Sequence, residues 1–174
     1  MASAHTQTSN GSLPPGFKSP FQLVTQAGTH DDLLAVVAVL TGKTLQQVFD
    51  TAVTLGMRKF NFYVDEVLVK KLLFNLSPLT IGRCHEVTSI AALPDVCILL
   101  IDYDTVTETG RSVLFHHVRG SAQQSAFSYC VDVSSATDPK LRVTTSLAHL
   151  NIKPAYYWEV TPRLNPTGVK PKQG

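Results

Sequence analysis

Eight consecutive apolar residues, Leu33 to Leu40, stand between Asp31-Asp32 and Gly42 and constrain the fold more than any other segment. Aspartates are typical of a helix N-terminus and glycine of a helix C-terminus, so the run predicts a helix that ends at Thr41. A helix that is apolar on every side has to be covered on every side. A chain of 174 residues buries roughly two thirds of its unfolded surface, which is enough to enclose this helix in one domain.

Two further helices are predicted after the apolar one. Thr44 and Gln47 have the spacing of a capping box, and apolar residues recur at helical intervals from there to Gly56. A third helix is predicted over residues 64–75, before Ser77-Pro78, because the residue that precedes a proline disfavours helical geometry. The first half of the folded part is therefore helical.

From about residue 95 the pattern changes to short apolar or alternating runs separated by turn residues, which is typical of strands. The first three of these runs are expected to form an antiparallel meander. Helices followed by an antiparallel sheet make an α+β fold. The predicted strands are 96–103, 112–119, 127–133, 141–145 and 156–160.

The two ends of the chain lack a periodic apolar pattern. Residues 1–20 are rich in Ser, Thr, Asn, Gly and Pro and are predicted to form a disordered arm. Residues 165–174 are predicted to form a flexible basic tail. A single α+β domain is predicted between them, over residues 21–164.

Composition excludes several classes of function. Lys and Arg number 15 against 13 Asp and Glu, a net charge of +2, so no nucleic-acid partner is expected. No membrane partner is expected either, because the longest apolar run is far shorter than the roughly 20 residues that span a bilayer. The N-terminus is polar where a signal peptide is apolar. Three cysteines without paired spacing predict the reduced thiols of a cytoplasmic protein rather than a disulfide framework or a zinc site.

A family resemblance rests on the segment from residue 23 to residue 44. Leu23 to Gln26, a tight loop that ends in Asp31-Asp32, the apolar helix, Thr41-Gly42-Lys43 and a second helix at Thr44 resemble the N-terminal half of papain-like cysteine peptidases. The closest likeness is to the branch of the bacteriocin-leader peptidases and related bacterial domains. The resemblance covers about residues 21–135. It implies a papain-like fold, with the apolar helix at its centre.

The same resemblance implies a site. In that branch a glutamine lies six residues before the nucleophilic cysteine, which opens the central helix, and a histidine and an aspartate follow on successive strands. Gln26 then faces the oxyanion, Asp32 occupies the nucleophile's position, and His116 or His117 is the base, oriented by Asp132. Alternation along a strand places the two histidines on opposite faces, so only one of them reaches a cleft.

Asp32 is incompatible with thiol chemistry, because a carboxylate is a poor nucleophile toward an amide. Cys84, Cys97 and Cys130 do not replace it and are interpreted as small core residues. We therefore expect a catalytically degenerate papain-like domain that binds a peptide or protein partner in the former cleft. No cofactor is expected, and the sequence does not determine the oligomeric state.

Other interpretations remain open at this point. Each residue has an ordinary structural role available: the two aspartates as helix caps, Gln26 as a loop residue, the histidines and Asp132 as packed strand residues. An active hydrolase or acyltransferase could use Ser121 or Ser125 as its nucleophile. A divalent metal could replace the thiol if acidic and imidazole ligands converge. The candidate ligands are His30, Asp31, Asp32, His116 or His117, and Asp132. A further alternative is an interaction domain of unrelated α+β fold, in which the histidines lie out of reach of Asp32.

Overall fold

The computed structural model describes residues 11–60 and 64–163, which form three helices and a six-stranded antiparallel sheet. The predicted α+β class is confirmed. The strand order across the sheet is β1-β6-β2-β3-β4-β5. The helices are α1 (Asp32–Thr41), α2 (Leu45–Thr54) and α3 (Glu66–Leu76); the strands are β1 (Leu79–Glu86), β2 (Val96–Asp104), β3 (Thr109–Val118), β4 (Phe127–Asp132), β5 (Val143–Thr144) and β6 (Tyr156–Pro162).

Helix α1 is the centre of the molecule, as its sequence predicts. Every residue from Leu34 to Leu40 is buried, and the helix packs against α2, α3 and β3. It ends where Gly42 adopts a left-handed conformation with φ of 65°, a geometry that costs glycine little because it has no Cβ.

The starts of the next two helices follow from their caps. Thr44 accepts a hydrogen bond from the Gln47 backbone N–H at 3.2 Å, and the Gln47 side chain accepts one from the Thr44 N–H at 3.0 Å, which confirms the capping box. Helix α3 starts two residues later than predicted, because Asp65 caps it by accepting the Leu68 N–H at 2.7 Å.

The sheet contains the predicted meander and one strand that was missed. Strands β2, β3 and β4 are consecutive antiparallel neighbours, whereas β6 lies between β1 and β2. Strand β1 was not predicted because every residue after Ile81 is exposed. Its sequence therefore lacks the apolar alternation that marks a half-buried strand.

Both faces of the sheet are covered. Ile98, Leu114 and Val131 pack against the helices. Their strand neighbours, among them Leu99 and Phe115, form a second apolar cluster on the other face. Residues from the segments 87–93 and 147–155 cover that cluster. Successive residues of one strand therefore belong to two different cores.

The N-terminal segment differs from its prediction. Residues 11–20, predicted as part of a disordered arm, lie on the sheet: the Gly11 carbonyl accepts hydrogen bonds from Thr144 and Thr145, and the Phe17 ring packs edge-on against Phe127 at 4.9 Å. The polar composition of this stretch predicted disorder, but the apolar contacts of residues such as Phe17 hold it against the sheet. Residues 1–10 and the predicted tail at 165–174 lie outside the described residues.

No single helix in the described ranges is long and apolar enough to cross a membrane. Helices α1 and α2 reach the necessary length and composition only as a pair, and that pair is bent by 108°.

Candidate functional site

A cavity of about 260 Å³ opens between the N-terminal ends of α1 and α3 and the sheet beneath them. We call it the α1 cleft. Its floor is apolar and its rim is acidic. We call its buried and half-buried apolar lining residues the floor, and its carboxylates, which are half-buried or exposed, the rim. The floor consists of Leu33, Val64, Val69, Ile81, Ile98, Leu100 and Trp158, and the rim of Asp32, Asp65, Glu66 and Glu108; His30, Thr109 and Ser112 also line the cavity.

Asp32 lies in this cleft, at the first turn of the central helix. One of its carboxylate oxygens accepts a hydrogen bond from the Ser112 backbone N–H of β3 at 2.5 Å. The contact ties the start of α1 to the sheet across 80 residues of sequence. Because the N-terminal end of a helix carries a partial positive charge, it stabilises a carboxylate at this position.

Asp31 occupies the N-cap position of α1, but its side chain caps no N–H of the helix. Its carboxylate instead accepts hydrogen bonds from the Ala27 and Gly28 backbone N–H groups at 2.9 to 3.0 Å. Asp31 is therefore the N-cap residue of α1 and Asp32 an acidic residue of its first turn, as the ordinary interpretation expects, but the Asp31 side chain makes no capping hydrogen bond. Asp31 organises the loop before the helix, and Asp32 binds the sheet.

Gln26 is held within that same loop. Its side-chain amide donates to the Gly28 carbonyl at 2.8 Å, and its backbone N–H donates to the Val133 carbonyl at 2.9 Å. Gln26 is not one of the described residues that line the α1 cleft. The arrangement fits the anchoring of a loop, and no described hydrogen bond joins the Gln26 amide to Asp32.

His116 lies on the helix-facing side of β3, four residues beyond Ser112. At about 3.4 Å per residue this places it roughly 14 Å along the strand from the residue that contacts Asp32. Its Nδ1 is 3.0 Å from the Tyr129 hydroxyl, and its ring packs edge-on against Phe21. Burial lowers the pKa of His116. It is a packed strand residue, held away from the cleft.

His117 lies on the other face of β3, as strand alternation predicts. Its Nδ1 is 2.9 Å from the Ser128 hydroxyl on β4. The serines proposed as alternative nucleophiles, Ser121 and Ser125, are exposed in the β3–β4 turn, and the Ser121 hydroxyl accepts the Gln123 backbone N–H. The hydrogen bond of His117 therefore goes to a different serine, outside the residues that line the cleft.

Asp132 orients neither histidine. It lies opposite Val113 in the β3–β4 register and is fully buried on the side of the sheet away from the helices. Its carboxylate accepts hydrogen bonds from the Arg111 guanidinium, the Thr137 hydroxyl and the Ser134 backbone N–H. Asp132 thus binds β3 and the segment after β4 together.

Of the five residues predicted to form the site, only Asp32 lines the cleft. The residue of β3 that faces it is Ser112, which the sequence interpretation missed. The available signal was strand alternation: Ser112, Leu114 and His116 share one face, but only the register of β3 against α1 decides which of them meets Asp32.

Trp158 and Glu66 are two further residues of the cleft that were not predicted. The Trp158 indole N–H donates to one Glu66 oxygen at 3.2 Å, and Lys70 donates to the other at 2.5 Å. These hydrogen bonds, from Lys70 first and then from Trp158, lower the pKa of Glu66. The hydrogen bond to Glu66 fixes the Trp158 ring in the apolar lining of the cavity.

The cysteines do not supply a reactive thiol. Cys97 and Cys130 are fully buried, as predicted, and burial raises the pKa of both, that of Cys130 to about 12. Cys84 is exposed on β1, which corrects its interpretation as a core residue, but partial burial and nearby Glu66 raise its pKa too. A raised pKa disfavours the thiolate that acts as nucleophile.

The ligands of the alternative metal site do not converge. Within residues 11–60 and 64–163, no three His, Cys, Asp or Glu side chains come together in a group that could hold a metal ion. Asp31, Asp32 and Asp132 each bind backbone N–H groups at separate places.

Comparison of the chain with models of protein families, with curated proteins and with solved structures finds no significant match.

Proposed function

We propose that this chain is a papain-like domain without thiol-peptidase chemistry and that it binds a peptide or protein partner in the α1 cleft. Its site departs from the resemblance, because His116 and His117 lie out of reach of Asp32, as in the alternative of an interaction domain of unrelated α+β fold, and Ser112 faces Asp32 instead. One observation carries the proposal: Asp32, at the position of the nucleophile in the resemblance, lies at the N-terminus of a buried central helix and lines a cavity there.

The chemistry of the cleft favours binding over cleavage. A carboxylate at the nucleophile's position is unsuited to attack an amide. The residue that faces it from β3 is Ser112, whose side chain is not a general base at neutral pH. His30 is the one histidine among the described lining residues, and no described cysteine lines the cavity.

The shape of the cleft supports a peptide as occupant. Its volume of about 260 Å³ lies just below the usual range of small-molecule pockets, about 300 to 1,000 Å³. Such a cavity suits one side chain, with the rest of the peptide lying across its mouth. An apolar floor with a few polar groups at the rim is the common composition of a binding pocket.

A peptide-display selection on the immobilised chain tests this function. Trp158 is the only tryptophan of the chain and lines the cleft, so its single indole N–H resonance reports occupancy directly. We expect selected peptides to shift this resonance. The result that contradicts the proposal is a selection that yields no binder, or binders that leave the resonance unchanged.

A matched pair of variants confirms the location. The hydroxyls of Thr107 and Thr109 are 2.8 Å apart in the β2–β3 turn, and both residues are exposed, but only Thr109 lines the cleft. Thr109→Phe fills the mouth of the cavity, whereas Thr107→Phe breaks the same hydrogen bond outside it. We expect Thr109→Phe to weaken binding at least about tenfold, a loss of about 1.4 kcal/mol, and Thr107→Phe to leave it unchanged.

A further inference from the structure

The α1 cleft concentrates negative charge in a chain that is basic overall. Four of the 13 acidic residues line this one cavity, and no lysine or arginine does so among its described lining residues. Apolar side chains, among them Leu33, Ile98 and Trp158, supply much of the remaining lining of the cavity. The distribution of charge indicates what kind of group enters it.

The contacts of the four carboxylates leave most of that charge uncompensated. Glu66 forms an ion pair with Lys70. Among the described residues, Asp32 and Asp65 accept hydrogen bonds only from backbone N–H groups, which carry no full charge. Glu108 forms no ion pair with any described residue. The starts of α1 and α3 contribute roughly half a positive charge each, less than the three remaining carboxylates carry.

The floor of the cleft favours a ligand whose side chain has an aliphatic part, or stem. Leu33, Ile98 and Leu100 present apolar surface that methylene groups cover favourably. Lysine and arginine side chains bury such stems while the charged head lies among polar groups. The Trp158 ring lines the same cavity, and an indole attracts a cation that lies against its face.

We infer that the α1 cleft takes a basic side chain, arginine or lysine, from the peptide partner; the inference rests on the proposed function. The acidic rim disfavours acidic side chains, and the described carboxylates are not grouped as metal ligands. A cationic head on an apolar stem satisfies both the rim and the floor.

Isosteric peptides test the charge. The probes are N-acetyl-Gly-Arg-Gly-amide and the same peptide with citrulline, which keeps the shape of arginine and removes its charge. A second pair compares lysine with Nε-acetyl-lysine. We expect the basic peptides to shift the Trp158 indole resonance and the neutral ones to bind at least about tenfold more weakly. Equal binding of charged and neutral peptides overturns the inference, and so does the absence of any shift with the arginine peptide up to ~10 mM.

Charge variants separate the cleft from the overall charge of the protein. Asp32→Asn with Glu108→Gln removes two cleft carboxylates, and Asp50→Asn with Glu86→Gln removes two exposed ones elsewhere. Both double variants have the same net charge. We expect the first to lose at least about tenfold in affinity for the arginine peptide and the second to bind as the parent does. Equal losses in both overturn the inference.

The outcome also distinguishes this inference from the proposed function. Display-selected peptides that occupy the cleft but tolerate citrulline in place of arginine leave the binding function standing and remove the charge selectivity. Failure of every peptide to enter the cleft removes both.

Discussion

Replacement of Asp132 by asparagine tests whether this residue is a structural tether. Asp132 and Asp102 share one partner, Arg111, but their surroundings differ: the Asp132 side chain is fully buried, and that of Asp102 is 40% exposed. Asp102→Asn is therefore a matched control that makes the same charge change beside the same guanidinium. Asparagine also tolerates the φ of 52° found at Asp102.

The expected magnitudes follow from burial. Hydrogen bonds to charged groups contribute about 1.5 to 3 kcal/mol, and removal of one partner of a buried pair costs about 3 to 5 kcal/mol. Arg111 is 27% exposed and keeps Asp102, which reduces the cost, so we expect Asp132→Asn to lower the unfolding free energy by about 2 to 3 kcal/mol. Exposed pairs contribute at most about 1 kcal/mol, which limits the effect of Asp102→Asn.

Urea denaturation, followed by circular dichroism and by the fluorescence of Trp158, measures both variants. With a denaturant dependence of about 2 kcal/mol per molar urea, Asp132→Asn lowers the midpoint by about 1 to 1.5 M, and Asp102→Asn by less than about 0.5 M. Equal shifts for the two variants, or a change below about 0.5 kcal/mol for Asp132→Asn, refute the buried tether.

Three further predictions concern stability. Burial lowers the pKa of His116 in the folded state, so the unfolded chain binds the proton first as the pH falls. The contribution of neutral His116 to the unfolding free energy is present above the ordinary pKa of about 6.5 and is lost as the pH falls below it. We therefore expect the unfolding free energy of His116→Gln to decline less from pH 7 to pH 5 than that of the parent; an equal decline contradicts this. Because the Phe17 ring is half-buried, we expect Phe17→Ala to lower the unfolding free energy in urea by about 1 to 2 kcal/mol, less than the loss of a fully buried phenylalanine. The control, Lys18→Ala, removes an exposed side chain and leaves the unfolding free energy unchanged. Equal losses for the two variants refute the packing of residues 11–20. Gly110→Ala places a Cβ 2.8 Å from the Ile101 carbonyl oxygen, so we expect it to lower the thermal midpoint at a cost of about 1 to 3 kcal/mol. The control is Gly82→Ala, whose Cβ meets nothing closer than 3.9 Å. If Gly110→Ala is tolerated as well as this control, β2 and β3 do not approach as closely as described.

Local patterns predicted the helices and most of the sheet. The C-terminal end of α1 and the start of α2 follow from interactions within a few residues, at Gly42 and in the Thr44–Gln47 capping box, and the sequence shows both. Strand β1 was missed because tertiary contacts with β6 hold it in place, not apolar alternation of its own.

The candidate site required information that the sequence does not contain. The resemblance supplied the order of the residues, but the geometry depends on register. His116 lies four residues beyond Ser112 on β3, which is roughly 14 Å along the strand. On β4, the alternation of side chains places Asp132 on the face of the sheet away from the helices. The cleft also needed distant segments, since Asp32, Glu66 and Trp158 meet only through the packing of α1, α3 and β6.

Under the proposed function, Asp32 stands where a papain-like site has its thiol, and Ser112, which faces it from β3, stands where such a site has its base. Installing both groups tests it directly. The parent for this test is Cys84→Ser, which removes the exposed native thiol, and the other two cysteines are buried. Asp32→Cys is compared with Asp32→Cys combined with Ser112→His.

The alkylation rate of the introduced thiol by iodoacetamide at pH 6 is the measurement. A thiol with the ordinary pKa of about 8.5 is about 0.3% thiolate at this pH, and one lowered to about 6 by an adjacent imidazolium is about half thiolate. The lower nucleophilicity of the more acidic thiolate offsets about tenfold of that gain, so we predict that the double variant reacts about tenfold faster than Asp32→Cys alone. Equal rates for the two variants, or a fast single variant that is slowed by His116→Gln, contradict the proposed positions of Asp32 and Ser112.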